Sequence, residues 1–81
     1  MNAESVPRLA TKARLREDRV RGQTLLLCPE RALVLNGSAA AILRCCGSGR
    51  TVAQIAESLS APPGDVLQFL AELAERGLVR G

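Results

Sequence analysis

Apolar and polar positions first show a readable period at Ala13, where Ala13, Arg14, Leu15 and Arg16 alternate apolar and basic. That is the pattern of a half-buried strand with its arginines toward water. Asp18 to Gly22 is polar and reads as a turn. Gln23 to Cys28 is an apolar run of strand length, ended by Pro29, which has no N–H to give a ladder. Pro29, Glu30 and Arg31 then turn the chain into Ala32, Leu33, Val34 and Leu35, and two apolar runs this close predict an antiparallel hairpin. This third strand ends at Asn36 and Gly37.

From Ser38 the period changes to about 3.6 residues. Ser38 is the expected cap of a helix whose apolar positions Ala39, Ile42, Leu43 and Cys46 share one face, with Gly47 as its left-handed stop. Thr51 and Gln54 form a T-x-x-Q capping box for a second helix bearing Val52, Ile55, Ala56 and Leu59. Ala61 to Gly64 break it. Asp65 with Gln68 is the expected cap of a third helix that reaches Arg76 and stops at Gly77, after which Leu78 and Val79 fold back. Val66, Leu67, Phe69, Leu70, Ala71, Leu73 and Ala74 cover roughly 200° of that helix, about twice the arc that a core-facing helix needs.

The predicted class is therefore α+β: a three-stranded antiparallel sheet followed by three helices, resembling a winged helix-turn-helix. Residues 1–11 are polar, contain Pro7 and show no period, so they read as a flexible N-terminal arm on a single domain over residues 12–81.

Composition narrows what such a domain can do. The 81 residues allow one modest core and no deep cleft, and Phe69 is the one aromatic, so the core must be aliphatic and base stacking has almost nothing to work with. No apolar run reaches the ~18 residues of a membrane span. No signal segment is evident, and a cytoplasmic location is expected. Cys28, Cys45 and Cys46 form no C-x-x-C pair and the chain has no His, so they read as reduced packing residues, with no metal site and no cofactor implied.

Residues 1–22 carry six basic and three acidic side chains, whereas residues 23–81 carry five of each, so the whole net charge of +3 lies at the N-terminus. A winged helix-turn-helix is most often a DNA reader, and a DNA-binding module is the alternative reading. Against it, the segment Thr51 to Arg76 holds Glu57, Asp65, Glu72 and Glu75 but only one cation, Arg76, a face that repels phosphate. Catalysis is excluded more firmly, since no acid-base pair, activated nucleophile or phosphate loop can be assembled. What remains is a sheet with unpaired edges beside a wide apolar helix, a groove suited to an extended peptide. Extra core or a homodimer contact would account equally well for the added arc.

Particular stretches carry a resemblance. Pro7-Arg8-Leu9, Arg14-Leu15-Arg16, Asp18-Arg19-Val20-Arg21-Gly22, Leu26-Leu27-Cys28-Pro29-Glu30 and Val34-Leu35-Asn36 resemble the pyrroloquinoline quinone biosynthesis protein D family. Ala39 to Leu43, Gly49 to Val52, Asp65-Val66, Phe69-Leu70, Leu73 and Arg76-Gly77-Leu78 continue it in the same order. The stretch Ser60 to Gly64 is shorter than the family's usual connection. The resemblance implies a peptide chaperone that binds the ribosomal precursor peptide of the quinone and presents it to a radical S-adenosylmethionine enzyme for Glu–Tyr crosslinking. It also implies that the peptide lies along the third strand, at Ala32, Leu33, Val34 and Leu35, and against the third helix, at Val66, Leu67, Leu70 and Leu73.

Overall fold

A computed structural model describes all of residues 1–81. The element order is β1 (Arg8–Leu9), β2 (Arg14–Asp18), β3 (Gln23–Cys28), β4 (Arg31–Leu35), α1 (Gly37–Arg44), α2 (Val52–Ser58), α3 (Pro63–Glu75) and β5 (Val79–Arg80). The antiparallel sheet β2–β3–β4 and the three helices after it are those expected. Its register places Leu15, Leu26 and Leu33 in one row on the inner face, and Arg16, Leu25 and Val34 in one row on the outer face.

The β3–β4 hairpin pairs Cys28 with Arg31 around a two-residue turn. Pro29 presets its own φ and Glu30 takes a left-handed φ of 67°, a conformation that costs a side chain about 1 kcal/mol. At the β2–β3 turn, Asp18 Oδ1 accepts from the N–H groups of Val20 (3.1 Å) and Arg21 (3.2 Å), leaving Val20 at the tip 96% exposed.

Two helix starts differ from expectation. Asn36, not Ser38, caps α1, its Oδ1 accepting from Ala39 N–H at 2.7 Å. Both residues are good caps, and the earlier one gains a further half-turn of helix. Asp65 does not cap α3, which begins at Pro63 after Pro62 with no side-chain cap. A proline in the first turn has no N–H to satisfy and its φ is already helical. The Thr51–Gln54 box is formed as expected, with bonds of 3.1 and 2.8 Å. At the other end of α3 the N–H of Leu78 donates to Leu73 (2.9 Å) and that of Gly77, at φ 75°, to Ala74 (3.0 Å), the double bond of a left-handed helix stop.

Residues 1–11, expected as a flexible arm, are packed against the body here. β1 pairs antiparallel with β5, Leu9 opposite Val79, and Pro7 and Ala10 are buried. The reason lies in α2, whose first N–H groups need acceptors. Val52 donates to the Ser5 carbonyl (2.9 Å) and Ala53 to that of Ala3 (3.0 Å). The core gathers Leu26 from the sheet, Ile42 and Leu43 from α1, Val52, Ile55 and Ala56 from α2, Val66, Leu70 and Leu73 from α3, and Val79. No aromatic residue is buried with them; Phe69 lies half-buried at the border.

Candidate functional site

β4 has one strand neighbour, β3, so its outer edge leaves backbone donors and acceptors unpaired. Alternation divides its residues. Leu33 and Leu35 are half-buried and pack against the core, while Ala32 and Val34 face outward, Val34 with 63% of its surface exposed. On that outer face Leu25 and Leu27 of β3 lie between Ala32 and Val34 on one side and Arg14 and Arg16 of β2 on the other. An apolar strip with a basic margin is thus left uncovered.

The four helix positions separate. Val66, Leu70 and Leu73 are buried at the centre of the α3 arc, fully inside the core. Leu67 is half-buried, and it alone of the four has surface that a ligand can touch without moving the helix. The 200° of apolar arc is explained by this division: a central buried row flanked by half-buried Leu67, Ala71 and Ala74 on one side and Phe69 on the other.

Where β4 and α3 do share open space is at the C-terminal end of the helix. A cavity of about 650 Å³ there is lined by Lys12, Cys28, Pro29, Arg31, Leu33, Arg76, Gly77 and Leu78. It includes Leu33 of the four expected strand positions and none of the four helix positions. Lys12 belongs to no motif, and Arg76 enters the sequence reading as the end of the third helix and in the Arg76-Gly77-Leu78 stretch; only the fold brings the two beside Arg31.

Electrostatics elsewhere serves structure. Thr24, the one buried polar side chain, donates to Glu17 Oε1 at 3.2 Å and accepts from Arg44 Nη2 at 3.0 Å. Arg44 also pairs directly with Glu17, joining α1 to the sheet. The Arg44 hydrogen bond holds the Glu17 carboxyl below its ordinary range. Burial, with Cys45 beside it, pushes the Cys46 thiol up to about 11, the opposite of an activated nucleophile. No group of three His, Cys, Asp or Glu residues is placed to hold a metal, and no helix is long and apolar enough to cross a membrane.

Comparison with known proteins places this geometry. Residues 23–79 match the sequence model of the family described as coenzyme PQQ synthesis protein D. A PqqA binding protein of Rhizobium meliloti is 39% identical over 98% of this chain and 89% of its own length. The bifunctional coenzyme PQQ synthesis protein C/D of Methylorubrum extorquens is 40% identical over 93% of this chain, which spans 22% of that larger protein. Among solved structures, the PqqD part of the Methylobacterium extorquens PqqCD protein, described as a functional, stand-alone recognition element for ribosomally synthesised and modified peptides, superposes with a TM-score of 0.77. It is 35% identical, and the match covers 100% of this chain and 95% of that one. A strand edge left open beside a helical layer, in a chain that matches these proteins over nearly its whole length, means that it belongs to the coenzyme PQQ synthesis protein D family.

Proposed function

We propose that this chain is a peptide-binding protein of PQQ synthesis. It holds the precursor peptide as an added strand on β4 and presents it to a radical S-adenosylmethionine enzyme that joins a Glu to a Tyr. The observation that carries the reading is the free outer edge of β4 in a fold whose relatives are PqqA binding proteins and a peptide recognition element. An incoming strand would gain main-chain hydrogen bonds along Ala32–Leu35 and bury its alternate side chains against Leu67 of α3. The protein contributes binding and positioning, and the chemistry belongs to its partner. Arg14 and Arg16, with the apolar strip of Leu25, Leu27 and Val34, form the surface on which that partner would dock.

Residue-by-residue NMR with the precursor peptide, and separately with duplex DNA, tests this. The peptide should shift the amide signals of residues 32–35 and 66–73, and DNA should give only weak, salt-sensitive shifts near the basic N-terminal residues. Peptide titration that leaves residues 32–35 unmoved, or sequence-selective DNA binding that survives moderate salt, would reject the proposal.

A further inference from the structure

We infer that the cavity between the start of β2, the β3–β4 turn and the C-terminal end of α3 is a carboxylate subsite, receiving acidic side chains of the peptide strand that adds to β4. The inference rests on the peptide reading above and extends it to the chemistry of one part of the ligand.

Three cations from distant parts of the chain, Lys12, Arg31 and Arg76, line this one cavity, and no carboxylate lines it. The protein's ion pair is Arg44 with Glu17, so none of the three is neutralised by a neighbour. Like charges gathered without a counter-ion repel one another, and a bound carboxylate removes that repulsion while accepting the paired N–H groups of arginine. Leu33, Leu78 and Pro29 give the cavity an apolar part, which reduces the screening of such a contact. The usual obstacle to an anion at the C-terminus of a helix is reduced here. The Leu73 and Ala74 carbonyls of the last turn are occupied by the N–H groups of Leu78 and Gly77.

Position selects a peptide over a nucleic acid. Arg31 begins β4, so a strand paired with Ala32–Leu35 runs directly past the cavity. The α2–α3 face that a DNA groove would meet is net negative, as Glu57, Asp65, Glu72 and Glu75 outnumber Arg76. The carboxylates therefore lie on the peptide just beyond its paired segment, on the Arg31 side.

The test is calorimetric titration of the precursor peptide into the full chain and into its Lys12→Gln/Arg31→Gln/Arg76→Gln variant, at low and high salt. All three side chains are exposed, so an unchanged melting curve is the control for folding. Binding should weaken about 10- to 100-fold and lose most of its salt dependence. A precursor peptide with Gln or Asn in place of its Glu or Asp beside the paired segment should bind the unaltered protein equally weakly, and the variant no more weakly still. Arg31→Glu should be partly rescued by a peptide carrying Lys at that place. If the triple variant binds as tightly while the β4 amides still shift, the cavity inference is wrong and the peptide reading stands. Unmoved β4 amides would remove both. Duplex DNA bound by the unaltered chain and released by the triple variant would make this a phosphate site instead.

Discussion

Truncation of two leucines one turn apart on α3 separates folding from binding. Leu70 is completely buried, whereas Leu67 is half-buried at the border of the core. Leu70→Ala removes packing on every side and should cost about 3 kcal/mol, within the range of buried Leu→Ala changes. For a domain of this size that corresponds to a fall in Tm of roughly 12–24 °C. Leu67→Ala removes a side chain that already meets solvent, and about 1 kcal/mol is expected, or roughly 4–8 °C. Peptide affinity should show the reverse order. Leu67→Ala should lose about 1–2 kcal/mol, a factor of roughly 5 to 30 in Kd, and Leu70 should change Kd little at a temperature where its variant stays folded. Circular dichroism melts and calorimetric titration measure both quantities. Leu70→Val, costing about 1 kcal/mol, serves if the alanine variant does not fold. Equal melting losses for the two alanines, or an unchanged Kd for Leu67→Ala, would refute the division of α3 into a core row and a ligand border.

Four further outcomes are expected. Glu17 has a depressed pKa in the folded state, so its bond to Arg44 stabilises above the unfolded carboxylate pKa and is lost as pH falls through the folded one; Glu17→Gln should flatten the fall in Tm over that acidic window. Glu30→Gly, relieving the left-handed φ of 67°, should raise stability by about 0.5–1 kcal/mol, read as a higher urea midpoint. Replacing Arg14 and Arg16 with Gln should change stability by no more than about 0.5 kcal/mol while slowing association with the peptide or the proposed partner enzyme at low salt; an unchanged rate would leave these arginines as mere solubilising charge. With its thiol raised to about 11, Cys46 should be alkylated slowly at mildly alkaline pH and faster as the pH rises towards 11, a profile that timed mass spectrometry reads directly.

Local chemistry made most of the fold legible. Thr51 and Gln54 satisfy each other without help from distant residues, and Pro29 both ends β3 and starts its turn, so α2 and the β3–β4 hairpin could be read from a few neighbouring positions. Asn36 and Ser38 are equivalent as local signals, and only the packing of α1 chooses between them. β1 had no strand signal: two residues carry no period, and their partner Val79–Arg80 stands at the far end of the chain. The candidate site divides in the same way. That a three-stranded sheet has two open edges follows from counting strands, but not which of them a ligand would use, and α3 shows seven apolar positions whose roles depend on which neighbours cover them. The meeting of Lys12, Arg31 and Arg76 is purely a product of the tertiary fold.

The pairing of β1 with β5 also bears on how the protein can be joined to others. Met1 lies against Gly81, so both ends of the chain emerge at one pole. A second domain grafted at either end would enter at the same place, and a short bridge could close the chain into a ring. New ends could then be cut at the exposed Val20 tip, with β4 and the cationic cavity carried intact between them.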